Sequence, residues 1–232
     1  MARLLLWDVD GTLIRGGGVG SEVINRAAAE VLGKPIAGEP VLMHGKTDPQ
    51  ILTEIFRAAK IAEDAIAELL PPTMAEAERL MALAEADLRR RGNVIDGVVD
   101  VLARLATLPG VRQTLLTGNL VTNAAVKLAA FDLTAYFDVE VGAYGTDHAD
   151  RNELVPIALE RVERLRGEHY PPTDVWVIGD TPGDLACARA AGVRCLLVAT
   201  GQIPMSELTS LDADAVLADL TNTDEVVQIL TG

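Results

Sequence analysis

Short apolar runs alternating with helix-period segments constrain this chain most. They lie at residues 4–7, 114–116, 139–141, 175–178 and 195–198, with a possible sixth at 215–217. Short apolar runs of this kind are expected to be strands of a parallel sheet, buried on both faces. From Asp96 onward they alternate with helical patterns at 98–107, 119–131, 153–166 and 184–191, the last stopped by Gly192. Strand–helix alternation of this kind predicts an α/β fold with a doubly wound, Rossmann-like parallel sheet.

Residues 21–92 break the pattern, with four helical segments and no convincing strand. Ser21 precedes a helix at 22–32, and Thr47-Asp48-Pro49-Gln50 has the form of a capping box before 51–59. Thr73-Met74-Ala75-Glu76 is a second such pattern, expected to open a long helix that ends at Gly92. The expected organisation is an α/β core from residues 1–16 and 93–232, interrupted after its first strand by a helical module at 17–92. Gly16-Gly17-Gly18-Val19-Gly20 reads as a hinge between the two. It is not a dinucleotide fingerprint, because Ser21 stands where the third glycine would be needed.

Charge and composition narrow the partners. Thirty-four acidic against 20 basic residues give a formal charge of −14, which repels nucleic acid. The one basic run, Arg89-Arg90-Arg91, is read as complementing a helix dipole. Cys187 and Cys195 lack CxxC spacing and are expected to be core thiols in a reducing compartment. The opening apolar run is too short for a signal-peptide core, and no apolar stretch is long enough to span a membrane. The expectation is a cytoplasmic protein with no nucleic-acid or membrane partner. His44, His148 and His169 show no metal-ligand spacing, Trp7 and Trp176 read as core packing, and nothing selects monomer over homodimer.

The chemistry lies where the apolar runs end. The first delivers Asp8-Val9-Asp10-Gly11-Thr12, two carboxylates at the strand end where open α/β sheets bind ligands. The second delivers Thr117-Gly118-Asn119, a hydroxyl and backbone N–H groups before a helix, which suit a phosphate oxygen. The fourth delivers Asp180, with Asp184 entering the next helix. Two carboxylates about 4 Å apart repel by roughly 4 kcal/mol at an effective dielectric of about 20, so converging acids need a cation or must hold protons. All-oxygen ligation favours Mg²⁺. Arg151, opening the helix between the second and third motifs, is the candidate side-chain cation. Each motif also has an ordinary reading, as turn, cap or surface ion pair; their order and company favour chemistry.

Taken in order, these pieces resemble the haloacid dehalogenase superfamily, specifically its helical-cap, phosphoglycolate-phosphatase-like members, and the likeness spans the whole chain. That resemblance implies a Mg²⁺-dependent phosphatase acting on a small phosphorylated metabolite. Asp8 would be the nucleophile and a metal ligand, and Asp10 the general acid/base, ligating metal through its backbone carbonyl. Thr117 would grip the phosphoryl group, Asp180 would ligate metal, and Asp184 would support the metal shell or the cation. Thr12, Gly118 and Asn119 would line the phosphate site, and the insertion would be the superfamily's cap, with Lys46 reaching substrate. Family members usually carry a lysine where Arg151 stands. Within the fold the rivals are a dehalogenase, which Asp10 argues against, a sugar-phosphate mutase, and a phosphonate hydrolase using Lys46 or Lys34 as a Schiff base. From another class, a phospho-acceptor signalling module would also cluster acids, but is nearly half this length and has no cap.

Overall fold

A computed structural model describes residues 2–232; Met1 of the expected core lies outside the described residues. The first strand, β1 (Arg3–Trp7), is followed by a two-residue strand β2 (Ile14–Arg15) and four helices, α1 (Val19–Leu32), α2 (Asp48–Ala58), α3 (Glu63–Leu83) and α4 (Glu85–Arg91). Then come β3 (Asn93–Val94), α5 (Val98–Ala106), β4 (Val111–Thr117), α6 (Val121–Ala130), β5 (Ala143–Tyr144) and α7 (Leu154–Arg166). The chain ends with β6 (Val175–Gly179), α8 (Pro182–Ala191), β7 (Arg194–Val198), α9 (Met205–Leu208), β8 (Ala215–Leu217) and α10 (Thr223–Thr231).

Six strands form one parallel sheet in the order β5-β4-β1-β6-β7-β8. β1 is central because every one of its residues is buried. Leu5 and Trp7 face a core shared with α5, α6 and α10, while Leu4 and Leu6 face one shared with α7 and α8. That two-sided burial explains the unbroken apolar run. The chain leaves β1 toward β4 on one side and β6 on the other, so the strand order reverses there. Trp7 pairs with Leu115 and with Ile178. The residues just beyond, Asp8, Thr117 and Asp180, therefore emerge together at one end of the sheet. Trp7 and Trp176 are core residues as expected; the guanidinium of Arg194 lies 5.3 Å from the Trp176 ring centroid.

The helices of 19–91 build an apolar cluster of their own, with Val23, Ile24, Ile51, Phe56, Leu80 and Met81 meeting Leu120 and Ala130 beside α6. Their two connections to the sheet run side by side as the antiparallel pair β2–β3, with Ile14 opposite Val94 and Arg15 opposite Asn93. Gly18 caps α1 with φ 82°, a left-handed conformation that side chains resist.

Three local expectations need correction. Residues 139–141 form a 3₁₀ turn, and the edge strand is the two-residue β5 that follows. Tyr144 donates its hydroxyl hydrogen to the carbonyl of Val139, 2.7 Å away, holding that turn against the edge. Thr73 is no cap; it lies inside α3, two residues after Pro71 and beside Pro72, and gives its hydroxyl hydrogen to the Leu69 carbonyl at 2.7 Å. Packing of Ile66, Ala77, Leu80 and Met81 carries the helix through the prolines. The long helix expected to reach Gly92 is broken at Ala84, between α3 and α4. The Thr47 cap is present, accepting from the Gln50 N–H at 3.3 Å.

Candidate active site

Asp8 follows β1 on the side that carries Leu4 and Leu6, and so faces the elements packed on that side. There Arg151, in the 3₁₀ turn that leads into α7, points Nη2 at Asp8 Oδ1, 3.1 Å away, and also contacts Asp184 Oδ1. All three side chains are buried. Asp184 is held by a capping box: its Oδ2 accepts from the Thr181 N–H at 3.0 Å and from the Thr181 hydroxyl at 2.7 Å. Asp180 completes the cluster, accepting at Oδ1 from the Thr12 hydroxyl at 3.1 Å.

One oxygen from each of Asp8, Asp180 and Asp184 lies within 4.8 Å of the others. Burial, with the charges of Asp184 and Asp10 added, pushes Asp8 up to about 6 despite the neighbouring guanidinium. Burial, then Asp184 and Asp8, push Asp180 up to about 8. Space for Asp180 exists because Gly11 and Gly201 carry no side chain; a Cβ at either would overlap its carboxylate. Acids crowded this way suit a hard divalent cation. Because Asp184 already spends both oxygens on Arg151 and Thr181, Asp8 and Asp180 are the acids best placed to ligate directly.

Asp10 diverges from this cluster, because the chain turns at Gly11, where φ is 85°. Its Oδ2 accepts from Asn119 Nδ2 at 2.8 Å and from Lys127 Nζ at 2.6 Å. Burial acts to raise the Asp10 carboxyl, but the Lys127 ammonium and the Asn119 amide outweigh it and hold it below its ordinary value. The Asp10 side chain keeps 45% of its surface exposed, facing the cavity, whereas Lys127 keeps 4%.

Thr117 is fully buried, its hydroxyl oxygen accepting from Asn119 Nδ2 at 2.7 Å, which leaves its own hydrogen free to donate. Gly118 serves the approach of the insertion: a Cβ there would run into the Lys46 carbonyl, and its own carbonyl accepts from the Asp48 N–H at 2.7 Å. Expected to touch substrate, Thr12 is instead fully buried with its hydroxyl committed to Asp180. Asn119 is bound to Thr117, Asp10 and Lys127. Lys46 lines the cavity, but its ammonium is paired with Glu54; Lys34 does not line it.

Two residues of the site escaped the sequence reading. Lys127 sits on the buried face of α6 with Asn123, Ala124 and Leu128. A lysine four residues from an inward asparagine, within an apolar stripe, was the available signal. Asp48, read only as part of a cap, reaches from α2 to the start of α6: Oδ2 accepts from the Leu120 N–H at 2.9 Å and from Asn123 Nδ2 at 3.1 Å. Thr47 adds a bond from its hydroxyl to the Ala149 carbonyl at 2.6 Å. Asp48→Ala would leave a buried N–H and amide without their acceptor, which costs about 1–3 kcal/mol. We expect a lower melting temperature together with a raised KM; both unchanged would show that this contact holds nothing.

The cavity between the two parts measures about 360 Å³. Asp8, Asp10, Thr117 and Arg151 line its floor, while Ile24, Met43, Ile51 and Met81 line it from the insertion. No helix among the described residues is long and apolar enough to cross a membrane. Cys187 and Cys195 are buried free thiols.

A family model described as haloacid dehalogenase-like hydrolase matches residues 5–189, which takes in every acid of the cluster. The chain belongs to that hydrolase family. It is 31% identical over 205 residues to phosphoglycolate phosphatase 1 of Pseudomonas aeruginosa, covering 87% of this chain and 71% of that one. Its fold is similar to that of CbbY from Rhodobacter sphaeroides in complex with phosphate, at a TM-score of 0.68 and 21% identity, over 96% of both chains. A mutant of the same CbbY, in complex with xylulose-(1,5)bisphosphate, matches at a TM-score of 0.67 and 22% identity over the same shares.

Proposed function

We propose that the protein is a Mg²⁺-dependent phosphatase that hydrolyses a small phosphate monoester through an aspartyl-phosphate on Asp8, with residues 17–92 as its cap. The observation that carries this reading is the buried convergence of Asp8, Asp180, Asp184 and Arg151 beside the Thr117 hydroxyl. A binding module needs no such crowding of acids, whereas in-line phosphoryl transfer needs a nucleophile, a cation and fixed donors in one dry pocket.

In the first displacement Asp8 attacks phosphorus, the bond to the ester oxygen breaks, and Asp10 gives that oxygen a proton. In the second, Asp10 takes a proton from water, which attacks phosphorus and releases phosphate and the free Asp8 carboxylate. Lys127 favours the Asp10 carboxylate in the free enzyme, while a phosphate dianion arriving nearby opposes it and favours proton uptake. Thr117 donates to a phosphoryl oxygen, and Arg151 balances charge while keeping Asp8 in line. Asp8 and Asp180, with the Asp10 backbone carbonyl, would hold Mg²⁺, with Asp184 setting the edge of that site through Arg151. The ion supplies positive charge against the transferring phosphoryl oxygens.

Cavity size and its mixed lining suit a small phosphorylated metabolite. The name of the Pseudomonas relative makes 2-phosphoglycolate the first substrate to try. The test is phosphate release from a panel of such esters with Mg²⁺ or with EDTA; release that ignores EDTA would refute the metal assignment.

Proton competition adds a second expected result. Free carboxylates of Asp near 3.8 become about 6 and about 8 at Asp8 and Asp180 on folding. The folded state therefore binds protons that the unfolded chain releases above about pH 4, and metal-free stability should fall as pH rises from about 4 to about 8, through both groups up to about 6 and through Asp180 alone beyond it. Mg²⁺ must displace those protons, so its affinity should rise over the same range. Thermal melts at pH 6 and pH 8, with and without Mg²⁺, should show a larger Mg²⁺-induced shift at pH 8. An equal shift at both would refute the crowding of acids on which this rests.

A further inference from the structure

Asp10 has a cation of its own, in addition to the one that serves Asp8, and the two-displacement scheme uses that cation's charge but not its placement. Lys127 reaches Asp10 from the opposite side of the site to Arg151, from a helix whose inward face is otherwise apolar except for Asn123. Its ammonium donates to Asp10 Oδ2 at 2.6 Å and to Asn119 Oδ1 at 2.6 Å. Asn119 closes the ring by donating to the same Asp10 Oδ2 at 2.8 Å. A side chain on Gly20 would crowd this arrangement, since a Cβ there would stand 3.3 Å from Lys127 Nζ. Both contacts fall on Oδ2. Oδ1 accepts no hydrogen bond among the described residues and lies on the side of Gly16, where β2 passes into the insertion.

A simple core salt bridge does not account for this. Buried ion pairs often add no net stability over apolar packing, and this pair is open to the cavity on the Asp10 side. Geometry accounts for it better, because a carboxylate pinned through one oxygen presents the other in a fixed direction.

We propose that Lys127 is a positioning residue for proton transfer: with Asn119 it anchors Asp10 through Oδ2, so that Oδ1 is the atom that gives and takes the proton. This rests on the role given to Asp10 above. As the ester bond breaks, the Oδ1–H bond breaks and its hydrogen joins the leaving oxygen. The electron pair stays on the Asp10 carboxylate, facing the Lys127 charge. The water step runs in reverse, the water's proton going to Oδ1.

The test compares two esters that differ in how much they need that proton. An alkyl phosphate such as 2-phosphoglycolate expels an alkoxide, a poor leaving group, whereas p-nitrophenyl phosphate expels a stabilised phenolate. Lys127→Met should lose about 10²-fold or more in kcat/KM on the alkyl ester, within the usual worth of general acid catalysis, and only a few-fold on the aryl ester. Lys127→Arg should recover part of the alkyl activity; should Lys127→Met fail to fold, Lys127→Arg and Lys127→Gln carry the same comparison. Equal losses on both esters, or none, would overturn the proposal. Asp10→Asn should show the same selectivity more strongly and Asp8→Asn should lose both activities. If Asp10→Asn shows no selectivity, the Asp10 assignment itself fails.

Discussion

Asp8→Asn should lower phosphate release by roughly four orders of magnitude or more, since a residue acting as nucleophile cannot be replaced in part. Asparagine keeps the shape of the side chain but offers a neutral amide where the reaction needs an anionic oxygen. Its effect on folding should be small or favourable. Asp8 is buried among acids and its carboxyl is pushed up to about 6, so at pH 8 its charge opposes folding. Arg151 retains Asp184 as partner. The variant is therefore expected to melt at or above the wild-type temperature while showing no turnover and no acid-stable, alkali-labile phosphorylation. Retained activity would end the nucleophile assignment, and a collapsed melting curve would show that Asp8 is structural.

Arg151→Met should be costly in both respects. The guanidinium is buried between two carboxylates that have no other cation in contact among the described residues, and Asp184 is fully buried. Removing one member of such a group leaves uncompensated charge, at about 3–5 kcal/mol. Activity should fall too, because Asp8 loses the contact that aims it. Without Arg151 the acids hold protons more tightly, so the loss should be larger at pH 8 than at pH 6. Urea unfolding at the two pH values measures this; a loss below about 1 kcal/mol, with activity retained, would place Arg151 outside the site.

The parts of the fold visible in the sequence were those fixed by local pattern. β1 and β6 are buried along their whole length, so they read as apolar runs, while β4 showed only its buried end at 114–116; each run stops near the polar residue it delivers. Residues 139–141 mislead because Val-Glu-Val resembles a strand, while the true edge strand is only Ala143–Tyr144, too short to leave a pattern. Thr73 misleads because a hydroxyl three residues before a glutamate, after two prolines, looks like a helix start. Packing of the insertion overrides that signal. The site divides the same way. Asp8, Asp10, Thr117 and Asp180 stand at strand ends and could be found one by one. Lys127 meets Asp10 across 117 residues of sequence, and Asp48 meets Asn123 across 75. Such partnerships exist only once the chain is folded, so Thr12 and Asn119 also acquired their tasks there.

The paired strands β2 and β3 have a mechanical consequence. Two tethers bonded to each other act as a single pivot, which permits swinging but resists twisting or sliding. A swing of the insertion about it would lift Asp48 from the start of α6, a few residues after Thr117 and Asn119. On the proposed reading, entry of ester and departure of phosphate would share one mouth, and the loop of Thr117 and Asn119 would be released in the same movement that opens the way out.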